Sequence, residues 1–313
     1  MNRTVRILLT VLGVIVAVAV VAGIAVYIYL LNLFERLDNT AEHGDQCLAE
    51  KQGENFRCWD LLVPEGLGDE PVPLVIDIPG FYNSTETQRG YGAVDVLAQE
   101  EKFIAVWPHG INNSWNAGGE PWPVQDTPPE EKGQGCCGLA LFEGSDDVSF
   151  ILKMVAQLQQ EHNIDKNQIF LTGFSNGCGL AQRLAAEASA VFAGVGCMSM
   201  VGLVEPAPDY SPIPIIVVQG TEDSVVAYEG ESWISAMENF EAWKARNNCT
   251  GPVEEIWREG EHNMIQASGC TNDASVALVT IVGSDHIAYK GHHAEEVDTL
   301  RMAWDFLLAQ TAQ

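Results

Sequence analysis

Hydrophobic and polar residues fall along this chain in blocks whose lengths separate strands from helices. Leu74 to Ile78, Phe103 to Trp107, Ile169 to Leu171, Ile215 to Val218 and Val276 to Val282 are short, nearly all-apolar runs. Strands covered on both faces in a parallel sheet have this pattern. Phe56 to Val63 predicts one further early strand. Asp146 to His162 is the clearest helix: Val148, Ile151, Leu152, Val155 and Leu158 form one stripe. Asp146 and Asp147 stand at the end where the helix dipole favours negative charge. Tyr91 to Glu100, Leu180 to Ala188, Glu231 to Asn247 and Ala294 to Ala309 predict further helices. Strands alternating with helices argue for a doubly wound, mostly parallel α/β sheet in one domain over residues 56–313. His109 to Ser145 breaks the alternation. It has no sustained period and is rich in Gly, Pro, Trp and Cys, and a loop this long is expected to border or cover a site.

The N-terminal pattern is of another kind. Ile7 to Phe34 is apolar apart from Thr10 and Asn32, and it follows Arg3 and Arg6. A helix of that length spans roughly 42 Å, enough to cross a bilayer with tilt. A cleaved signal peptide has a shorter apolar core and a small-residue cleavage site. Ala17-Val18-Ala19 has that form, but cleavage there would leave Val20 to Phe34 in water. The expectation is an uncleaved signal anchor over residues 1–36, with the arginines holding the N-terminus inside. A polar tether over 37–55 then joins it to a domain outside the cytoplasm.

Cysteine use points to the same compartment. All eight cysteines lie beyond the apolar segment, an even number that suits oxidation. Cys47 with Cys58 and Cys249 with Cys270 are the local pairs, leaving Cys136, Cys137, Cys178 and Cys197; buried free thiols are the alternative. No C-x-x-C pair occurs and the histidines lack ligand spacing, so no metal or other cofactor is expected. A net charge of −27 argues against a nucleic-acid partner and describes a solvated acidic surface.

The chemistry is concentrated in Gly173-Phe174-Ser175-Asn176-Gly177, which stands between an apolar strand and a predicted helix. A serine on a tight strand-to-helix turn between glycines is the nucleophile elbow of an α/β-hydrolase. Asp223 follows the Ile215 to Val218 strand, and His286 follows the Val276 to Val282 strand. Ser, Asp and His in that chain order, each just past a strand end, form the triad of that fold. Ser175 is the expected nucleophile, His286 its base and Asp223 the acid that orients the imidazole. Glu222 is the rival acid, and His292 and His293 are rival bases with a more natural reading as surface residues. His109 and His262 read as structural or solvated. The oxyanion donors are expected to be the backbone N–H of Asn176 and, from the loop after the Leu74 to Ile78 strand, that of Phe81. Packing is an equal and compatible reading for Phe81. The 48-residue step from Ser175 to Asp223 must hold a helix and two strands, which leaves no room there for a large cap domain.

An ordered series of motifs resembles the polyhydroxybutyrate depolymerase and feruloyl esterase family of secreted α/β-hydrolases. It comprises Trp107-Pro108-His109-Gly110, Ser114-Trp115-Asn116-Ala117-Gly118, Cys136-Cys137-Gly138 and Asp146-Asp147-Val148-Ser149-Phe150-Ile151. It continues through the elbow, Gly220-Thr221-Glu222-Asp223-Ser224-Val225-Val226 and Gly283-Ser284-Asp285-His286. The resemblance runs from about Phe56 to the C-terminus. It implies ester hydrolysis through an acyl-enzyme, with Ser175, Asp223 and His286 at the catalytic positions. Where the family usually has His-Gly this chain has Pro79-Gly80, and where it usually has Trp and Pro after the catalytic His this chain has Ile287-Ala288-Tyr289-Lys290. Trp115 and Trp122 are candidates to stack on an aromatic or polymeric ester, with packing of the long loop as the alternative. The expected substrates are short-acyl, hydroxycinnamoyl or polyester-type esters. A peptidase or thioesterase on the same fold is the second enzymatic reading, and a surface-binding protein the non-enzymatic one.

Overall fold

The structure is a computed structural model that describes residues 44–52, 56–119, 137–230, 235–287 and 297–311. These residues all belong to one compact unit, Ala41–Gln313. Ten strands form a single sheet: β1 (Gln46–Cys47), β2 (Cys58–Leu62), β3 (Val72–Ile78), β4 (Ile104–Pro108), β5 (Ile164–Gly173), β6 (Gly194–Met198), β7 (Ile215–Gly220), β8 (Val253–Glu259), β9 (His262–Ala267) and β10 (Val276–Ile281). Their order across the sheet is β1-β2-β4-β3-β5-β6-β7-β10-β9-β8. The six central strands, β4 to β10 in that order, are mutually parallel, and the outer strands at both edges pair antiparallel. The helices are α1 (Thr85–Gly92), α2 (Val94–Glu101), α3 (Gly138–Phe142), α4 (Asp147–Glu161), α5 (Asn176–Ala188), α6 (Ala236–Arg246) and α7 (Thr299–Thr311).

Strand pleating divides the core. Leu74, Ile76 and Ile78 of β3 point to the face covered by α4, α5 and α6, while Val75 points to the face covered by α2 and α7. Ile151, Val155 and Leu158 of the expected α4 stripe are buried together with Phe150 and Met154, Val148 and Leu152 are half-buried at its edge, and Asp146 caps that helix by accepting from Ser149 N at 3.0 Å. Ser235 and Glu238 form a reciprocal capping box at the start of α6. The single helix expected over Tyr91 to Glu100 is instead two, α1 and α2. Ala93 takes a left-handed conformation between them (φ 49°) and its N–H caps the first through Arg89 O.

The expected tether over 37–55 is corrected at its C-terminal end. Gln46–Cys47 pairs with β2, and Leu48 is buried in the core. One apolar residue and a disulfide are enough to add this polar stretch to the sheet edge, and composition alone gives no sign of it. The disulfides Cys47–Cys58 and Cys249–Cys270 join the expected partners, Cys178–Cys197 ties α5 to β6, and Cys137 is disulfide-bonded as well. The β8–β9 hairpin has no clean apolar run and is legible only in the structure. Among the described residues no helix is long and apolar enough to cross a membrane; the segment 7–34 lies outside them.

Candidate active site

Four strand ends converge on one edge of the sheet. β5 ends in Gly173 and α5 begins at Asn176, so Ser175 occupies the turn between them with φ 50° and ψ −121°. A positive φ costs a serine on the order of 1–3 kcal/mol and persists only where neighbours enforce it. Two glycines allow those neighbours to approach. A Cβ on Gly177 would lie 2.0 Å from Ile78 O and 2.6 Å from Pro79 O, and one on Gly173 would lie 2.6 Å from Ile78 O. The elbow therefore rests directly on the end of β3. A serine at the head of a helix ordinarily accepts from the first-turn amides. Ser175 makes no such cap bond, because its Oγ is turned 2.9 Å from His286 Nε2.

His286 Nδ1 lies 2.9 and 3.0 Å from the two carboxylate oxygens of Asp223. The Asp223 side chain is fully buried. It also accepts from Gln219 Nε2 at 2.8 Å, Val225 N at 2.9 Å and Val226 N at 2.8 Å. Those bonds fix the carboxylate, so the imidazole is held with Nε2 toward the serine. Glu222 is exposed, and its backbone N–H donates to Ser284 O. The structure thus brings together Ser175, His286 and Asp223, and it leaves the rival Glu222 outside. His109 pairs with Asp60 at 3.1 Å, and His262 Nδ1 accepts from Val282 N at 3.1 Å, both away from the serine's hydroxyl. His292, His293 and Trp122 lie outside the described residues.

The amide of Asn176 begins α5 immediately after the nucleophile. Across from it, Tyr82 N donates to Asn113 O and Asn83 N to Gly80 O, while the Phe81 N–H makes no hydrogen bond among the described residues. The Phe81 ring lies 3.9 Å from that of Tyr82, tilted by 36°, and Gly138 (φ 72°) leaves room for it, since a Cβ there would meet Phe81 at 2.4 Å. The packing expected of Phe81 is present.

Trp115 requires a correction. Its expected stacking on a substrate is ruled out by burial: the side chain is 0% exposed, against Phe150 and beneath the Arg57 guanidinium, and no face is open to a ligand. The indole of a residue in a polar, Gly-rich loop gives no sign of this in sequence, because its partners, Arg57, Pro79 and Phe150, come from distant segments.

Two contacts at the site were not anticipated. Phe174, inside the elbow motif, packs its ring 5.0 Å from the imidazole of His286. Asp285 Oδ1 accepts from Ser224 N at 2.9 Å, Ser224 Oγ at 2.7 Å and His286 N at 2.7 Å, so it joins the acid-bearing loop to the base-bearing loop. The amide and hydroxyl of Ser224, with the amide of His286, pull the Asp285 carboxyl down to about 2. Both residues adjoin motif residues, and that adjacency was the available signal. Two residues before Pro79, the carboxyl of Asp77 is pushed up to about 6 by burial, against the opposing donations from Gln88 and Trp107 at 2.8 Å each. Among the described residues no cluster of three His, Cys, Asp or Glu side chains could hold a metal ion.

This arrangement supplies a hydroxyl with a base, a fixed carboxylate behind the base and a helix N-terminus directly after the hydroxyl. Such a set can carry acyl transfer. A family model described as Esterase PHB depolymerase matches residues 57–228, more than half of the chain. Feruloyl esterase B of Piromyces equi is 26% identical over 267 residues, 78% of this chain and 43% of the relative. Probable feruloyl esterase C of Aspergillus niger is 25% identical over 250 residues, 76% of this chain and 77% of the relative. The chain spans less than half the length of several curated relatives it matches. An acetyl xylan esterase from Aspergillus awamori superposes with a TM-score of 0.53 at 14% identity, over 77% of this chain and 92% of the other, a likeness of fold.

Proposed function

The chain belongs to the PHB depolymerase esterase family, and on that premise we propose that it is a serine carboxylic-ester hydrolase working through an acyl-enzyme. The observation that carries the reading is the Ser175 Oγ at 2.9 Å from His286 Nε2 on a strained elbow, with Asp223 behind the imidazole. Ser175 Oγ attacks the ester carbonyl as His286 Nε2 takes its proton. Asp223 stabilises the imidazolium, and the amides of Asn176 and Phe81 receive the oxyanion. The alkoxide leaves with the proton from His286, and a water activated by the same imidazole then releases the acid.

The proposed substrates are short-acyl, hydroxycinnamoyl or polyester-type esters. Support comes from the activities for which the relatives are named, feruloyl and acetylxylan esterases, and from the span between Ser175 and Asp223. That span holds α5, β6, β7 and their connections, with no cap to enclose a long acyl chain. Enclosure matters because each buried CH₂ contributes roughly 0.8 kcal/mol. An intact triad argues against a binding protein, which needs none of the three in that geometry. The test is kcat/KM on p-nitrophenyl esters from acetate to palmitate, beside methyl ferulate and a hydroxybutyrate oligomer. Ser175→Ala is expected to lower turnover by about 10⁴-fold or more. Near-native turnover by that variant overturns the mechanism; a maximum at palmitate overturns only the substrate class.

The proposed location is outside the cytoplasm. Three disulfides among the described residues suit an oxidising compartment. Attachment to the membrane by residues 7–34 rests on their apolar sequence. Retention of full-length protein in membranes through an alkaline carbonate wash is the expected result, and its release refutes the anchor.

A further inference from the structure

Trp115 is bonded to both sides of the oxyanion site. Its indole Nε1 donates to Pro79 O at 2.9 Å, and Pro79 leads directly into Gly80 and Phe81. Its backbone N–H donates to Asn176 Oδ1 at 2.7 Å, and its backbone carbonyl accepts from Asn176 Nδ2 at 3.0 Å. Asn176 is the residue after the nucleophile. One wholly buried residue therefore holds the segment of the Phe81 amide with its ring and the segment of the Asn176 amide with its backbone.

We infer that Trp115 is a positioning residue that sets the spacing of the two oxyanion amides. This rests on the reading of Asn176 and Phe81 as those donors. Oxyanion donors act only within a narrow range, about 2.7–3.1 Å from the developing charge, and losing one costs on the order of 10²–10³ in kcat. Backbone donors have no side chain to adjust, so their spacing must come from whatever holds the two segments. Gly177 permits direct contact between α5 and the end of β3 but supplies no directional bond across it. Beside the backbone bond from Phe174 N to Ile78 O at 3.3 Å, Trp115 adds one bond to the β3 end through its indole and two to α5 through the Asn176 amide.

Trp115 is itself braced from behind. Asp147 Oδ2 accepts from Asn116 N at 2.7 Å, and Asp147 Oδ1 accepts from the buried Arg57 Nη2 at 2.7 Å. The Arg57 guanidinium lies 4.0 Å from the Phe150 ring centroid and 5.8 Å from that of Trp115. The network reaches the oxyanion segments through Trp115 and touches neither Ser175, His286 nor Asp223. Its loss should spare the proton transfer and misplace the amides.

Trp115→Phe deletes the indole N–H and keeps a buried aromatic ring. Asn176→Ala deletes the side-chain pair and keeps the backbone amide, so it serves as an independent variant if the first folds poorly. The measurements are kcat and KM on p-nitrophenyl acetate, Ki for a boronic acid that forms a tetrahedral adduct on Ser175, and Tm. The expected result is a fall of about 10- to 100-fold in kcat, a parallel weakening of boronate affinity and little change in KM. A variant with lowered Tm and unchanged kcat and Ki makes Trp115 a core residue only. A raised KM with unchanged kcat makes it a substrate contact. Either result overturns the positioning role while wild-type turnover preserves the esterase reading. If the wild type itself turns over no ester, the esterase reading fails and the role fails with it.

Discussion

The two halves of the site are built on opposite plans. On the nucleophile side, three side chains of distinctive type follow the ends of β5, β7 and β10 and meet through a hydroxyl, an imidazole and a carboxylate. On the proposed oxyanion side the working groups are backbone amides, which every residue except proline carries. What is particular there is the support: Trp115, Asn176, Gly177 and the Asp147–Arg57 pair behind them. The comparison teaches that residue identity marks the reacting atoms in the first half and the scaffold in the second. A motif search finds the first directly. It finds the second only as tryptophan and glycine with no evident task.

The largest expected effect tests the side-chain half. Asp223→Asn should lower kcat by about 10⁴-fold, because the wrong tautomer of His286 faces the serine, while Glu222→Gln should stay within a few-fold of wild type. Greater damage from the Glu222 change would refute the assignment of the acid.

A second carboxylate, Asp77, tests how much the edge of β3 tolerates. Its carboxyl titrates at about 6, above the roughly 3.9 of an unfolded aspartate, because burial disfavours the charge. The folded state therefore holds a proton that the unfolded chain has released between about pH 4 and 6. Stability falls as pH rises through that window, by up to ~3 kcal/mol, and stays low above it. Asp77→Asn removes the titration. Its amide can donate to Gln88 Oε1, a buried acceptor with no partner, once that amide turns over. Urea unfolding at pH 4.5 and 7.5 should give a variant more stable than wild type at the higher pH and flat between the two. An unchanged pH slope would exclude Asp77 as its source.

The smallest expected effect concerns the join between the halves of the triad. Asp285→Ala removes the acceptor shared by Ser224 and His286 and should lower kcat by about 10-fold with little change in KM. Asp285→Asn keeps an acceptor oxygen in place and should recover most of that loss. Equal losses in both variants would mean that the charge, not the hydrogen bonds, is what matters.

Much of this molecule follows from local pattern. The apolar runs of β3, β4, β5, β7 and β10 predict a buried parallel sheet because such strands need apolar side chains on both faces. The stripe of α4 and the acidic pair Asp146 and Asp147 at its start predict that helix to within a residue. Ser175, Asp223 and His286 are legible from their types and from their places after strand ends, and Cys47–Cys58 and Cys249–Cys270 from their spacing. The β8–β9 hairpin is not, because most of β8 faces solvent on both sides and has no period to read.

Other features were decided by tertiary structure. Gln46–Cys47 reads as tether and becomes a strand because an edge and a disulfide partner are waiting for it. In sequence Trp115 is open to substrate stacking or to packing of the long loop, and it becomes a wholly buried bridge because Arg57, Phe150 and Asn176 reach it from three distant parts of the chain. By itself, the sequence determined which atoms can react, since that depends on side-chain chemistry and on local strand and helix pattern. The folded structure decided what holds the turn after the nucleophile against the end of β3, since that hold comes from buried contacts between segments far apart in sequence.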